Sequence, residues 1–329
     1  MFLELVRKAS ENDPRLARAA LKGLRAYASA PRDAEPALQP EVARIGGACL
    51  RDHGGKGPPV VLIPSLINPP RILDLDPDVS VAAAAARTGR RTLLLDWGKA
   101  DQRAGLGVGG HIEELLLPLL DAVGEPSALL GYCLGGTMAL AAANLIPCER
   151  LITLACPWHF DRYPERSRAA LQDMWRQAQA SAAMFGALPM EVLQAAFWSL
   201  DPERTVRKFA AFAELPPDSP QASRFVELED WANEGDPLPY PAATELIEGL
   251  FGRDLSGSGE WKVAGRVMAD NINVPTLHIL AGADRIAPPE TAPSGPSSTI
   301  DAGHVGMIVG SGRASLHQQL RAFLAPACR

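Results

Sequence analysis

Six consecutive residues, Gly131-Tyr132-Cys133-Leu134-Gly135-Gly136, place a thiol between two stretches of different periodicity. Ser127-Ala128-Leu129-Leu130 before them is a short apolar run of strand type. Residues 137–144 after them have the small-residue spacing of a packed helix. A cysteine at a sharp strand-to-helix turn presents its side chain above the sheet. Such a turn is crowded and strained, which is why glycines flank it. The helix that follows aims its free N–H groups and the positive end of its dipole at the sulfur, which favours thiolate. A free cysteine can also serve as a small core residue, but Gly-x-Cys-x-Gly-Gly around Cys133 favours the nucleophile.

A thiol nucleophile needs a base in reach and a group to orient that base. Asp284, in Gly282-Ala283-Asp284-Arg285-Ile286-Ala287-Pro288, follows the apolar run 277–281. His304, in Gly303-His304-Val305-Gly306, follows the next such run. The order nucleophile, acid, histidine, with the nucleophile on an elbow, is that of the α/β-hydrolase fold. Asp284 is expected to hold the His304 ring in one tautomer and to stabilise imidazolium. An oxyanion needs two backbone donors. Leu134, directly after the nucleophile, is one. The other comes from the loop Pro64-Ser65-Leu66-Ile67-Asn68-Pro69, where proline lacks an N–H; of Leu66, Ile67 and Asn68, Ile67 is preferred.

Other residues compete for these roles. His159, in Pro157-Trp158-His159-Phe160 just past the run 151–154, can approach the pocket or satisfy a loop carbonyl. His53 and His111 stand in loop-like contexts, whereas His278 and His317 fall within a strand and a helix, where structural roles are expected. Cys49, Cys148, Cys156 and Cys328 lack an elbow and are expected to be inert. No cluster has metal-ligand spacing, and no cofactor is expected. Gly105-Leu106-Gly107-Val108-Gly109-Gly110 fits the letter of a dinucleotide-binding loop, but residues 99–104 separate it from the preceding strand. It is read as a loop before a helix.

These residues require a sheet to position them. Apolar runs at 60–63, 92–96, 128–130, 151–154, 276–280 and 297–300 predict strands. Helical patterns lie between and after them at 79–88, 112–123, 134–146 and 313–324, the second kinked at Pro118. Alternating helices and wholly apolar strands imply a mostly parallel sheet covered on both faces, an α/β class. Between 158 and 265 helical segments dominate, which predicts a cap insertion over the strand ends, where open α/β sheets carry their sites. Residues 2–28 predict two helices divided at Pro14 and packed on the main domain, followed by a Pro-rich linker. The expected organisation is therefore 1–55 as N-terminal helices and linker, 56–157 with 266–329 as core, and 158–265 as cap.

Composition bounds the function. The chain has 329 residues, 47% of them apolar and 21% charged, which suits one large domain with an insertion. A net charge of −6 provides no basic surface for nucleic acid. Five cysteines, an odd number without Cys-x-x-Cys, argue against a disulfide framework and for a reducing compartment. No apolar stretch approaches membrane-spanning length, and the N-terminal residues are too charged for a secretory signal. A cytoplasmic location is expected.

Several segments together resemble polyhydroxyalkanoate synthases of the short, class III-like catalytic type. They are Pro64-Ser65-Leu66-Ile67-Asn68-Pro69-Pro70-Arg71-Ile72-Leu73-Asp74-Leu75, Leu94-Leu95-Asp96-Trp97-Gly98, the Cys133 elbow, Phe225-Val226-Glu227-Leu228-Glu229-Asp230-Trp231, and the Asp284 and His304 loops. The resemblance covers most of 59–310 and is weakest in the cap. It implies transfer of 3-hydroxyacyl groups from coenzyme A thioesters, as substrate, through a Cys133 acyl-enzyme onto the hydroxyl of a growing polyester. Asn68, His159 and Trp231 are candidates for the substrate pocket. The resemblance further implies a homodimer or a separate synthase partner subunit, at the surface of polyester granules. The chain departs from the family at His159, where Asp is common, at Pro69, where a basic residue is usual, and at Arg71, where an aromatic is usual. Exchange of one thioester for another keeps the acyl group activated, which favours transfer. The alternative is a cysteine-nucleophile hydrolase, a thioesterase or esterase, in which the same triad admits water. A non-catalytic accessory protein is the third reading.

Overall fold

The apolar runs assemble into one eight-stranded sheet in the computed structural model, which describes residues 2–32 and 37–325. The strands are β1 (Glu41–Ile45), β2 (Ala48–Asp52), β3 (Gly57–Ile63), β4 (Arg90–Asp96), β5 (Ala128–Tyr132), β6 (Arg150–Leu154), β7 (Thr276–Ala281) and β8 (Ser297–Ile300), in the spatial order 1-2-4-3-5-6-7-8. From β4 to β8 all neighbours are parallel, and only β1–β2 and β2–β4 are antiparallel. This is the mostly parallel sheet of the α/β-hydrolase fold. Residues Val60–Ile63, Ala128–Leu130 and Leu151–Leu154 are fully or almost fully buried, as strands covered on both faces must be. Each such Val, Leu or Ile contributes about 1.5–3 kcal/mol relative to an exposed one.

Register decides where the site lies. Ile63 pairs with Gly131, Tyr132 with Leu154, and Ala281 with Ile300. The ends of parallel strands thus stand side by side, and the loops after β3, β5, β6, β7 and β8 leave from one edge. The helix after the elbow, Leu134–Leu145, is buried through Ala142. Before Pro118 the chain makes a π-helical turn, Ile112–Leu116, and resumes as an α-helix at Leu117–Ala122. The break falls near the residue that cannot donate a backbone hydrogen bond.

Two expectations are redrawn. Residues 38–55, read as linker, contain β1 and β2, joined by a tight turn in which Gly46 has φ +55°. These strands are short and β1 is largely exposed, so no apolar run announces them. The domain boundaries also differ. One compact unit comprises Leu38–Leu188 with Asp236–Arg329, and so holds the sheet together with 158–188 and 236–265 of the cap segment. The other comprises Met1–Ala37 with Pro189–Gly235. In it the helices Phe2–Ala9 and Pro14–Ser29 share a core with Pro202–Phe212, built on Phe2, Val6, Ala20, Val206 and Phe209. Gly23 allows this closeness: a Cβ there would stand 1.8 Å from the Phe209 carbonyl oxygen. The Tyr27 hydroxyl donates to Asp230 at 2.5 Å, tying the second helix to Pro220–Asn233. Among the described residues, no helix is long and apolar enough to cross a membrane.

Candidate active site

Cys133 sits at the junction of β5 and the Leu134–Leu145 helix with φ 57° and ψ −131°, outside the regions ordinary residues occupy. A backbone held there costs about 1–3 kcal/mol and persists only when its surroundings over-determine it. They do. The Cys133 N–H donates to the Leu154 carbonyl at 2.9 Å, and its carbonyl accepts from Gly136 N–H at 2.8 Å. Gly135 faces the end of β3 so closely that a Cβ would lie 2.2 Å from the Ile63 carbonyl oxygen and 2.5 Å from that of Pro64. On the opposite side the Thr137 hydroxyl donates to the Pro157 carbonyl at 2.6 Å. The first turn of the helix is thereby wedged between the loops that follow β3 and β6.

Asp284 and His304 meet at the same sheet edge. His304 Nδ1 lies 2.6 Å from Asp284 Oδ2, and both side chains are buried. The other carboxylate oxygen, Oδ1, accepts from Ile286 N–H at 2.7 Å and from Ala287 N–H at 2.9 Å. With Nδ1 taken by the carboxylate, Nε2 is left for Cys133, which acts on the ring as a hydrogen-bond partner and as a charge. Burial opposes imidazolium, but the charges of Asp284 and Cys133 and the hydrogen bonds to both outweigh it, and the His304 pKa is pushed up to about 10. The three residues singled out in the sequence are thus brought together.

Two tyrosines that no sequence signal marked complete this cluster. The Tyr132 hydroxyl donates to the His304 carbonyl at 3.3 Å, and its ring packs 5.0 Å from the imidazole. The Tyr163 hydroxyl donates to the Ile286 carbonyl at 2.9 Å. Burial, and then the negative charges at Cys133 and Asp284, push both phenols well above the usual tyrosine range.

The remaining candidates are placed as follows. Leu134 opens the elbow helix, where a first-turn N–H has no intrahelical acceptor. Ile67, buried in the loop after β3, donates its N–H at 3.4 Å to Ser65 Oγ, and Asn68 beside it is half-buried. Trp97 Nε1 donates to the Pro64 carbonyl at 3.1 Å and anchors that loop. His159 Nε2 lies 3.1 Å from Asp270, whose carboxylate also accepts from Ser294 N–H. Trp231 is buried in the Pro220–Asn233 helix of the helical unit. His111 accepts from Arg103 Nη1 at 3.1 Å and so donates Nδ1–H to the Gly107 carbonyl at 2.6 Å; burial pulls its pKa down to about 4. His278 bridges Thr153 and the Ser294 carbonyl inside the sheet. His53 pairs with Asp74, and burial lowers the pKa of His317 on the last helix. Cys49, Cys148 and Cys156 are buried free thiols whose pKa values burial raises; Cys328 lies outside the described residues.

Of the glycine-rich stretch read as a loop, only residues 105–107 are loop; Val108–His111 is already a helical turn, and it holds an anion. The Glu245 carboxylate accepts from Gly109 N–H at 3.1 and 3.2 Å and from Trp261 Nε1 at 2.8 Å. A Cβ on Gly107 would stand 2.4 Å from that carboxylate. Among the described residues no group of three or more His, Cys, Asp or Glu side chains could hold a metal ion.

No family model matches the chain. It is 28% identical over 272 residues to the poly(3-hydroxyalkanoate) polymerase subunit PhaC of Haloferax mediterranei, covering 77% of this chain and 55% of that protein. It is 27% identical over 288 residues to the PhaC subunit of Haloarcula marismortui, covering 82% of this chain and 61% of that protein. The chain therefore spans less than two thirds of the length of these relatives. Among solved structures, an epoxide hydrolase of Bacillus megaterium superposes with a TM-score of 0.55 at 14% identity, over 87% of this chain and all of that one, a likeness of fold. Over most of its length the chain is thus similar in sequence to poly(3-hydroxyalkanoate) polymerase subunits, and its fold is that of the α/β-hydrolases.

Proposed function

We propose that the chain is a polyhydroxyalkanoate synthase-like acyltransferase that moves 3-hydroxyacyl groups from coenzyme A thioesters through Cys133 onto a hydroxyl. The observation that carries this reading is the buried Asp284–His304 pair, 2.6 Å apart, with Cys133 acting on the same ring from a strained elbow. The names of the similar polymerase subunits supply the substrate class.

In the first half-reaction the Cys133 sulfur attacks the thioester carbonyl carbon. The carbon–sulfur bond to coenzyme A breaks, and the leaving thiolate takes the proton held at His304 Nε2. In the second, His304 removes the proton from the attacking hydroxyl. An oxygen ester forms as the acyl–Cys133 bond breaks. Asp284 holds Nδ1–H throughout and stabilises imidazolium. Leu134 N–H and Ile67 N–H receive the oxyanion, the latter exchanging its long bond to Ser65. Asn68 and His159 stand on loops that leave the same sheet edge and are assigned to the acyl pocket; Trp231 belongs to the other compact unit. The reading includes a homodimer or a separate partner subunit, and a place at the granule surface in the cytoplasm. These rest on the resemblance alone.

Incubation with 3-hydroxybutyryl-coenzyme A tests the proposal. Expected are coenzyme A release, polymer, and a trapped acyl group on the Cys133 peptide of matching mass. Release with only free 3-hydroxybutyrate would make the chain the cysteine-nucleophile hydrolase instead. No release, and no adduct at Cys133, would overturn both.

A further inference from the structure

We propose that Tyr132 and Tyr163 are positioning residues that brace the two halves of the acid–base pair, each through one hydroxyl bond to a backbone carbonyl of the loop it holds. The inference deepens the acyltransferase reading and rests on it for its kinetic consequence. A buried tyrosine hydroxyl must find an acceptor. Many acceptors would serve, so where the bond is made carries information. Tyr132 donates to the carbonyl of His304 itself, at 3.3 Å, and lays its ring at 31° to the imidazole with centroids 5.0 Å apart. Tyr163 donates at 2.9 Å to the carbonyl of Ile286, whose own N–H donates at 2.7 Å to Asp284 Oδ1. One hydroxyl therefore fixes the base and the other fixes the acid.

The two braces come from different elements of the chain. Tyr132 is the residue before the nucleophile, at the end of β5, so it ties the His304 loop to the elbow. Tyr163 comes from the cap segment and is itself set in an aromatic cluster, 5.8 Å from Phe160 and 4.8 Å from Phe251 between ring centroids. The Phe160 N–H in turn donates at 2.6 Å to Asp254. Burial, and then the negative charges at Cys133 and Asp284, keep both phenols protonated, so they remain donors. General-base transfer requires the ring within hydrogen-bond reach of the reacting proton, and a displacement of about 1 Å costs roughly a hundredfold in rate.

Tyr132→Phe and Tyr163→Phe keep the ring packing and remove one hydroxyl each. The test is the titration midpoint of His304 followed by NMR in histidine-labelled protein, its signal assigned with His304→Ala. Kinetics on 3-hydroxybutyryl-coenzyme A run in parallel. Each variant is expected to lower the His304 midpoint toward the ordinary histidine range while the other histidines titrate as before. The rate constant kcat should fall roughly tenfold with KM unchanged. Tyr27→Phe, which removes a comparable hydroxyl bond in the helical unit, is expected to leave the His304 midpoint unmoved. An unchanged midpoint in both Phe variants would overturn the proposal; if one variant does not fold, the other decides, since the braces hold different loops. The NMR readout needs no substrate. A midpoint that moves in a chain inactive on every coenzyme A thioester therefore sustains the braces while removing the acyltransferase reading.

Discussion

Asp284 accepts three hydrogen bonds, from His304 Nδ1 and from the N–H groups of Ile286 and Ala287. Replacing it with Asn keeps the shape but puts a donor where an acceptor is needed, which favours the wrong imidazole tautomer. Asp284→Asn is accordingly expected to lower kcat by about 10³–10⁴-fold, the scale of the equivalent change in a serine triad, measured as coenzyme A release. The raised pKa of His304 has a consequence for stability as well. Its folded value, about 10, lies above the unfolded value near 6.5, so the folded state binds the extra proton between them. The stabilisation is fully present below pH about 6.5 and is lost as pH rises toward about 10. Thermal unfolding of the parent chain should show this decline, and His304→Ala should flatten it across the same window.

At the scale of elements, the elbow depends on close backbone contact rather than on side chains. Gly135 is pressed against two carbonyl oxygens that belong to the end of β3 and its loop, and neither can rotate away as a side-chain atom could. Gly135→Ala is expected to cost at least about 3 kcal/mol, the upper end for inserting an atom into a packed site, read as a lower midpoint of chemical denaturation. The glycine-rich turn shows the same economy of space with a different partner. Its Gly109 N–H closes on the Glu245 carboxylate, so Glu245→Ala leaves the donors of Gly109 and Trp261 without their acceptor. A loss of about 1–3 kcal/mol is expected, again from denaturant melts, with Cys133 chemistry retained.

For the whole molecule, the division into two compact units makes a prediction that segment boundaries drawn along the chain would not. The core of Phe2, Val6 and Ala20 against Val206 and Phe209 makes the N-terminal helices structural partners of residues 189–235. Deleting residues 2–29 strips one side of that core. Limited proteolysis of the shortened chain should then cut first within 190–233, whereas the sheet, buried on both faces, stays resistant. Cuts that instead begin within β3 to β6 would show that the helices brace a different part of the chain.

The apolar strands and the elbow were legible in the sequence because their causes are local. A fully buried parallel strand must be a continuous apolar run, as in Val60–Ile63 and Leu151–Leu154. A turn as tight as that at Cys133 must have glycine where Gly135 meets Ile63. Asp284 and His304 could be picked out because each sits between glycines just after such a run, in an order the fold imposes. The hairpin of β1 and β2 escaped, since a short edge strand that is largely exposed has little apolar pattern to show, although Gly46-Gly47 between the strands was the available turn signal. The tyrosine braces, the Glu245 contact with the glycine loop and the union of the N-terminal helices with residues 189–235 had no local signal at all. Each joins residues far apart in the chain through the direction of one hydroxyl, one carboxylate or one packed ring. Such directions are set only when the whole chain has closed around them.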